Sequence, residues 1–473
     1  MLRFPFRLPA AAVLLLAAAC NQGKPAADTP TNTPAATAAA PDSTATSTAT
    51  APPLPKPYAT KSATKRSKVI GWPAGKTPVV PTGFTVAEYA GGLNSPRWAY
   101  VTPNGDVLVA EANTIPTSFK KKVTAKLDLD PSKSLKETSA NRITLLRDTN
   151  KDGKPDVRET FLSGLNQPLG MLVLGNYFYV ANTDGVLRYA YKPGQTKITG
   201  PGEKILTLPG KGYNNHWTRN LVANADGTKI YVSVGSSSNV GENGMEYEQR
   251  RANILEINPD GSDEKVYAAG LRNPVGMDWN PTTKALWAAV NERDELGDDL
   301  VPDYLTSVQP GAFYGWPYSY FGQNEDPRRK GERPDLVKKA LVPEVPLSPH
   351  SASLGLAFYD GKAFPAKYQK GAFVGQHGSW NRSEFTGYKV VFVPFKDGKP
   401  AGSSEDFVSG FVANTGSKEV YGRPVGVTEM PDGSLLVLDD AGNKVWRVSA
   451  QSGQAASATP KRSSVPQLAS TVR

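Results

Sequence analysis

Cysteine occurs once in this 473-residue chain, at Cys20, and histidine three times. A single cysteine excludes an intramolecular disulfide, so stability must come from core burial, and it excludes a Cys-x-x-Cys-His haem attachment site as well. Long hydrophobic runs are also scarce. The longest, Ala10–Ala19, is too short to span a bilayer and, following Arg3 and Arg7, fits a signal peptide. No stretch sustains a helical period, which argues against an α/β fold. The formal charge of +10 suggests nucleic acid or membrane until it is located. Its excess sits at Arg3 and Arg7, in the run Lys61–Lys68, and at Lys461, Arg462 and Arg473. The chain between is nearly neutral, so no nucleic-acid partner is expected.

The two ends read as appendages. Leu16-Ala17-Ala18-Ala19-Cys20 resembles a bacterial lipobox, in which Cys20 is lipidated and becomes the mature N-terminus; a plain cleaved signal is the alternative. Either implies export. A lipoprotein would sit on the periplasmic face of a bacterial membrane, the outer in preference to the inner, touching lipid only through its anchor; the other destination is extracellular. Residues 21–68 are Ala, Thr, Pro and Ser with almost no large apolar side chains, and are expected to form a disordered tether with Lys61–Lys68 as solvated spacer. Residues 451–473 are expected to be a disordered tail, leaving 69–450 as the folded body.

The body is rich in turn chemistry: the whole chain holds 44 glycines, 40 prolines and 9% aromatics. Six loose repeats run through it, each a small polar entry, a short strand, a turn and a second apolar strand. They are Leu93–Glu111, Leu165–Asn182, Asn215–Gly235, Leu271–Asn291, His350–Gln376 and Gly422–Asp440. Six copies of one strand-rich unit predict an all-β, six-bladed β-propeller, with Phe84–Ala90 completing the last blade and fastening the ring. The entries at Pro96, Pro168, His216, Pro274, Ser353 and Pro424 should then occupy equivalent places around one end of the central channel. His216, Arg219, Arg272, Asn273, His350 and Arg423 would meet there, forming a pocket for something anionic and polar. In the loop before a strand, His216 can take a proton from a hydroxyl, or it can be a hydrogen-bonded structural histidine.

Three further stretches carry candidate chemistry. Asp148–Glu159 spaces Asp148, Asn150, Asp152, Asp156 and Glu159 like the oxygen ligands of a Ca²⁺ loop, with Gly153 at the sharp turn and the Lys154 carbonyl in the seventh place. A metal-free acidic turn is the alternative. Asn291–Asp299 offers five carboxylates, either a solvated loop or groups facing a cation or sugar hydroxyls. Gly311–Phe321 packs six aromatics into eleven residues, suited equally to a sugar face and to a core.

Several motifs together resemble the glucose/sorbosone dehydrogenases, the L-sorbosone dehydrogenase-like branch in particular: His216 and Arg219 in HWTRNL, Leu271–Pro274 with Gly276, Tyr314–Pro317, His350–Gly355, Gly378–Arg382 and Gly422–Val427. The resemblance implies a propeller holding pyrroloquinoline quinone (PQQ) and Ca²⁺ over the channel, oxidising an aldose or sugar aldehyde and passing electrons to a separate acceptor, a cytochrome or quinone. It implies His216 as general base, Arg272 and Asn273 at the quinone and substrate, and Arg219 and Arg423 near the cofactor. Ca²⁺ would be held near Arg293 and Asp294, partly by main-chain carbonyls. Asn381 stands where glucose-oxidising members carry a lysine, with Arg382 beside it as a substitute, and Val425 stands where they carry a second arginine. Two other readings of the ring stay open: a cofactor-free binding or scaffold propeller, and a Ca²⁺-dependent lactonase, which would need carboxylates converging on the channel.

Overall fold

The computed structural model describes residues 53–451 apart from Thr117 and Thr415. Cys20, the leader, the tether up to residue 52 and the tail from residue 452 lie outside the described residues. Within them stand six blades in chain order, each built on four antiparallel strands, with a short fifth strand added to the third blade in parallel at Ala312–Phe313 and to the fifth at Lys399–Pro400. Blade 1 runs from Pro96–Val101 through Val107–Glu111 and Arg142–Arg147 to Val157–Leu162. Blade 2 begins at Met171–Leu174, blade 3 at Arg219–Ala223, blade 4 at Pro274–Trp279 and blade 5 at Ala357–Tyr359. Blade 6 takes three strands from Pro424–Ala450 and its fourth from Phe84–Ala90, paired Phe84 to Ala450 and Val86 to Val448. The N-terminal strand thus closes the ring, and the repeats read from the sequence contain the first and second strands of successive blades.

First strands of neighbouring blades touch all the way round the channel, and their entry sequences explain how they come so close. A Cβ placed on Gly276 would stand 2.6 Å from the Leu356 amide nitrogen and 2.7 Å from the Leu354 carbonyl of the next blade. Gly170 and Gly426, which follow Pro168 and Pro424 at the same interval, approach Leu221 and Arg97 in the same way. Blade 3 has Asn220 instead, whose Nδ2 donates to the Val275 carbonyl at 2.8 Å. Apolar side chains fill the wedges outside this ring. Tyr179, Leu221 and Val232 pack between blades 2 and 3, Trp287, Phe358 and Phe395 between blades 4 and 5, and Val107, Leu436 and Leu438 between blades 6 and 1.

Two features depart from the sequence reading. Short helices occur in the connections, α1 at Phe119–Lys126, capped by Ser118, and α2 at Pro334–Lys339. The boundary expected at Lys68 also falls earlier, because residues 53–68 lie against the propeller. Tyr58 N donates to Leu296 O at 2.8 Å, Lys65 N to Trp380 O at 2.9 Å, and Ser62 Oγ accepts from Gly297 N at 3.1 Å. This segment is held mainly by hydrogen bonds and the Lys65–Glu384 ion pair, with Leu54 packed against the core, so its composition reads as a tether. No helix among the described residues is long and apolar enough to cross a membrane.

Gly276→Ala is expected to destabilise the fold by about 1–3 kcal/mol, the cost of overpacking against a backbone that cannot yield. Gly200 has no atom within 4 Å of its would-be Cβ, so Gly200→Ala should stay within about 1 kcal/mol of wild type in the same urea titration.

Candidate active site

The loops that enter the inner strands open onto a cavity of about 760 Å³, within the usual size range of small-molecule sites. All three histidines, His216, His350 and His377, lie on its wall. Asn215 N donates to Ser237 O at 2.8 Å, tying the loop before the blade 3 strand to the one after its partner. His216 Nδ1 sits 2.9 Å from Ser236 O and 3.0 Å from Ser236 Oγ, and Nε2 has no protein partner among the described residues. Burial, and then the Arg272 guanidinium, hold His216 well below the usual imidazole range. It is therefore neutral at neutral pH and able to accept a proton. Gly235 leaves the room for this: a Cβ there would stand 2.3 Å from Asn273 Oδ1 and 2.7 Å from His216 Cβ.

The other two histidines are committed elsewhere. His350 Nδ1 meets Asp294 Oδ1 at 3.1 Å and Nε2 meets Gly297 O at 2.8 Å. Burial opposes its charge, but the hydrogen bond and charge of Asp294 outweigh it and raise His350 above the ordinary value. His377 Nε2 meets Asp440 Oδ1 at 2.8 Å, and burial with Arg423 pushes it down to about 4.

Six cationic side chains face the cavity, Arg66, Arg97, Lys120, Lys121, Arg272 and Arg423, against two carboxylates, Asp130 and Asp294. Arg272 donates to Glu292 O at 2.7 Å and Asn239 Oδ1 at 3.0 Å, and Arg423 to Ser134 Oγ at 2.8 Å and His377 O at 3.1 Å. Arg97 bonds Asp440 at 2.5 Å, lies over Trp217 and keeps a buried Nε without a hydrogen-bond partner. Arg66 lies over the Trp380 ring, 5.0 Å from its centroid. Asn273, also on the wall, keeps a buried Oδ1 with no partner.

Of the residues expected here, His216, Arg272, Asn273, Asp294, His350 and Arg423 converge. Arg219 does not: it is buried beneath the wall, bonding the carbonyls of His216, Thr218 and Pro209. Asn381 is spent on Glu295 N at 2.8 Å and Ala63 O at 2.9 Å, and Arg382 on Asp298 O and Asp299, so neither reaches the cavity. Arg293 is buried against Asp326 at 3.4 Å, away from the wall. Both carboxylate oxygens of Asp294 face cations or His350, and its carbonyl accepts from Asn239. The rest of the acidic loop is similarly engaged. Glu292 is buried and pushed up to about 7 by that burial, and Glu295 pairs with Arg328.

The Asp148–Glu159 turn folds its oxygens onto its own backbone. Asp148 accepts from Gly153 N at 2.8 Å, Asp152 from Lys154 N at 2.9 Å and also from Asn150, and Asp156 from Thr149 N at 3.1 Å. Glu159 stands exposed in a strand opposite Leu145. Among the described residues no three His, Cys, Asp or Glu side chains gather as a metal site, so the carboxylates expected as Ca²⁺ ligands from Asp148 to Glu159 do not converge, and Asp294 is the one carboxylate of the acidic loop on the cavity wall. The aromatics of Gly311–Phe321 are largely buried in core.

Sequence reasoning missed Arg66, Arg97, Lys120, Lys121 and His377. Arg97 was findable, since it follows Pro96 at a repeat entry, while the two lysines arrive on α1 in an insertion that no repeat predicts.

The ring of six blades is a six-bladed β-propeller, and its mouth carries more cations than carboxylates. Residues 180–447 match the family model described as Glucose / Sorbosone dehydrogenase, and the chain belongs to that family. An uncharacterized protein of Borreliella burgdorferi is 31% identical over 61% of this chain and 77% of its own length. The pyrroloquinoline quinone-dependent pyranose dehydrogenase of Coprinopsis cinerea is 24% identical over 79% of this chain but 55% of its own length. The holo PQQ domain of a pyranose dehydrogenase from the same fungus superposes with a TM-score of 0.63 at 21% identity, covering 81% of this chain and all of that domain.

In an NMR titration of the three imidazoles, His216 and His377 should remain neutral below pH 6. Replacing Arg272 by Met removes a nearby positive charge, so the His216 midpoint should move upward toward the ordinary 6.5.

Proposed function

We propose that this chain is a PQQ-dependent dehydrogenase that oxidises an aldose or a hydrated sugar aldehyde. The observation that carries the reading is the cavity itself, where an unpartnered imidazole nitrogen shares one wall with six cations. A tricarboxylate fits that wall: Arg97 and Asn273 offer buried polar atoms without partners, and Arg66, Lys120 and Lys121 make no hydrogen bond through their cationic ends among the described residues. Those cations and Arg423 would hold the carboxylates, with Arg272 and Asn273 beside His216. When bound, PQQ supplies an ortho-quinone that accepts a hydride. The chain's own part is to present neutral His216 to a substrate hydroxyl, take its proton at Nε2, and keep that imidazole unprotonated through burial and Arg272. Family membership and the likeness to the pyranose dehydrogenase of Coprinopsis support the substrate class.

The oxygens around residues 291–294 do not fit a divalent cation. Arg272 occupies the carbonyls of Asn291 and Glu292, and Asn239 that of Asp294; no step above uses one. The excess of cations over carboxylates also weighs against the lactonase reading. The sequence holds no Cys-x-x-Cys-His motif, and in this reading a cytochrome or quinone would receive the electrons. An exported lipoprotein anchored at Cys20 would place the body beside a membrane-borne one.

The binding-propeller reading is favoured by one observation: Asn381 and Val425 place no cation in the cavity. Titration of the purified chain with PQQ decides between them, with saturable binding and sugar-dependent dye reduction expected. His216→Ala should keep the binding and lose about 10²- to 10⁴-fold in turnover, and Arg423→Ala should weaken the binding. Absence of PQQ binding by the wild type would leave the propeller a binding module.

A further inference from the structure

The loop behind His216 specifies which of its nitrogens carries the proton. Nδ1 has two neighbours, Ser236 O at 2.9 Å and Ser236 Oγ at 3.0 Å. A carbonyl oxygen can only accept. The Ser236 hydroxyl has one hydrogen and gives it to Ser238 O at 2.7 Å, so it turns only lone pairs toward the ring. Both neighbours being acceptors, Nδ1 must donate, and the lone pair of the neutral imidazole is left on Nε2.

Ser236 is itself held from two sides. Its amide donates to Arg272 O at 2.8 Å. The carbonyl it bonds belongs to Ser238, and that residue is fixed by buried Glu248, which accepts from Ser238 N at 3.1 Å and Ser238 Oγ at 2.5 Å. Glu248 also accepts from Ser237 N at 2.7 Å and Ser237 Oγ at 2.6 Å. Four hydrogen bonds to one carboxylate are a large commitment for a buried group, and their effect is to freeze the turn on which the ring rests.

We propose that Ser236 and Glu248 are positioning residues: Glu248 fixes the Ser236–Ser238 turn, and Ser236 holds His216 in the Nδ1-protonated tautomer with Nε2 free toward the cavity. The catalytic meaning rests on reading His216 as the proton acceptor; the tautomer does not.

The test uses the full-length chain without PQQ, labelled with ¹⁵N-histidine. Three histidines give few signals, and the spectrum of His216→Gln assigns the one that matters. Long-range ¹H–¹⁵N correlation should show His216 protonated at Nδ1 in the wild type. Ser236→Ala removes one of the two acceptors and Glu248→Gln loosens the turn that carries both, so each should raise the share of the other tautomer without abolishing the Nδ1-protonated form, and Ser236→Thr, which keeps the hydroxyl, should restore the wild-type pattern. Unchanged His350 and His377 signals show that a variant has folded. A wild-type His216 protonated at Nε2, or a folded Ser236→Ala with an unchanged His216 pattern, overturns the proposal. In PQQ-loaded enzyme Ser236→Ala should lower kcat about 10-fold at unchanged KM, with Ser236→Thr recovering it. If the tautomer is as described and His216→Ala turns over at the wild-type rate, the proton-acceptor role fails and the positioning by Ser236 stands.

Discussion

Everything in this molecule depends on how closely six backbones can crowd one axis. At Gly276 the next blade's main chain lies where a side chain would begin, and Gly170 and Gly426 repeat the arrangement. Because the inner strands meet backbone to backbone, the loops feeding them start within reach of one another. Residues as far apart as Arg97 and Arg423 therefore share a wall. The hydrophobic wedges between blades supply the driving force for the ring, while the glycines set its radius, and with it the size of the mouth.

The electrostatics of that mouth serve two purposes with the same groups. Burial keeps His216 unprotonated, and Arg272, a cation on the same cavity wall, adds to it by repelling a proton. The guanidiniums of Arg272 and Arg423 are braced by loop carbonyls rather than free to swing. Holding cations in fixed positions before any ligand arrives lowers the reorganisation needed when charge develops. His350 shows the contrast: with both ring nitrogens engaged and a carboxylate beside it, the same side chain becomes a brace.

The fold was legible because its signal is repetitive. A small polar entry followed by two apolar strands recurs six times, which gives the blade count, and Phe84–Ala90 is left over to close the ring. His216, Arg272, Asn273 and Arg423 followed from their equivalent places in the repeat. Position in a repeat does not give side-chain direction, and so Arg219, three residues past His216, was expected at the cavity though it points under the strand to three carbonyls. Spacing alone likewise suggested a Ca²⁺ loop at Asp148–Glu159, where the oxygens satisfy their own turn. Arg66, Lys120 and Lys121 were hidden for a different reason: they reach the cavity from segments outside the repeat, whose placement depends on contacts with the blades.

The segment before Val69 has a consequence for where this protein can be cut. Asn381 bridges the acidic loop and Ala63, and Arg66 contributes a guanidinium to the cavity from the same strip of chain. A domain trimmed at the point where the composition changes would keep all six blades and lose part of its ligand-facing charge, along with the cover over an otherwise sheltered amide. The six blades and the full cavity wall therefore begin at different residues.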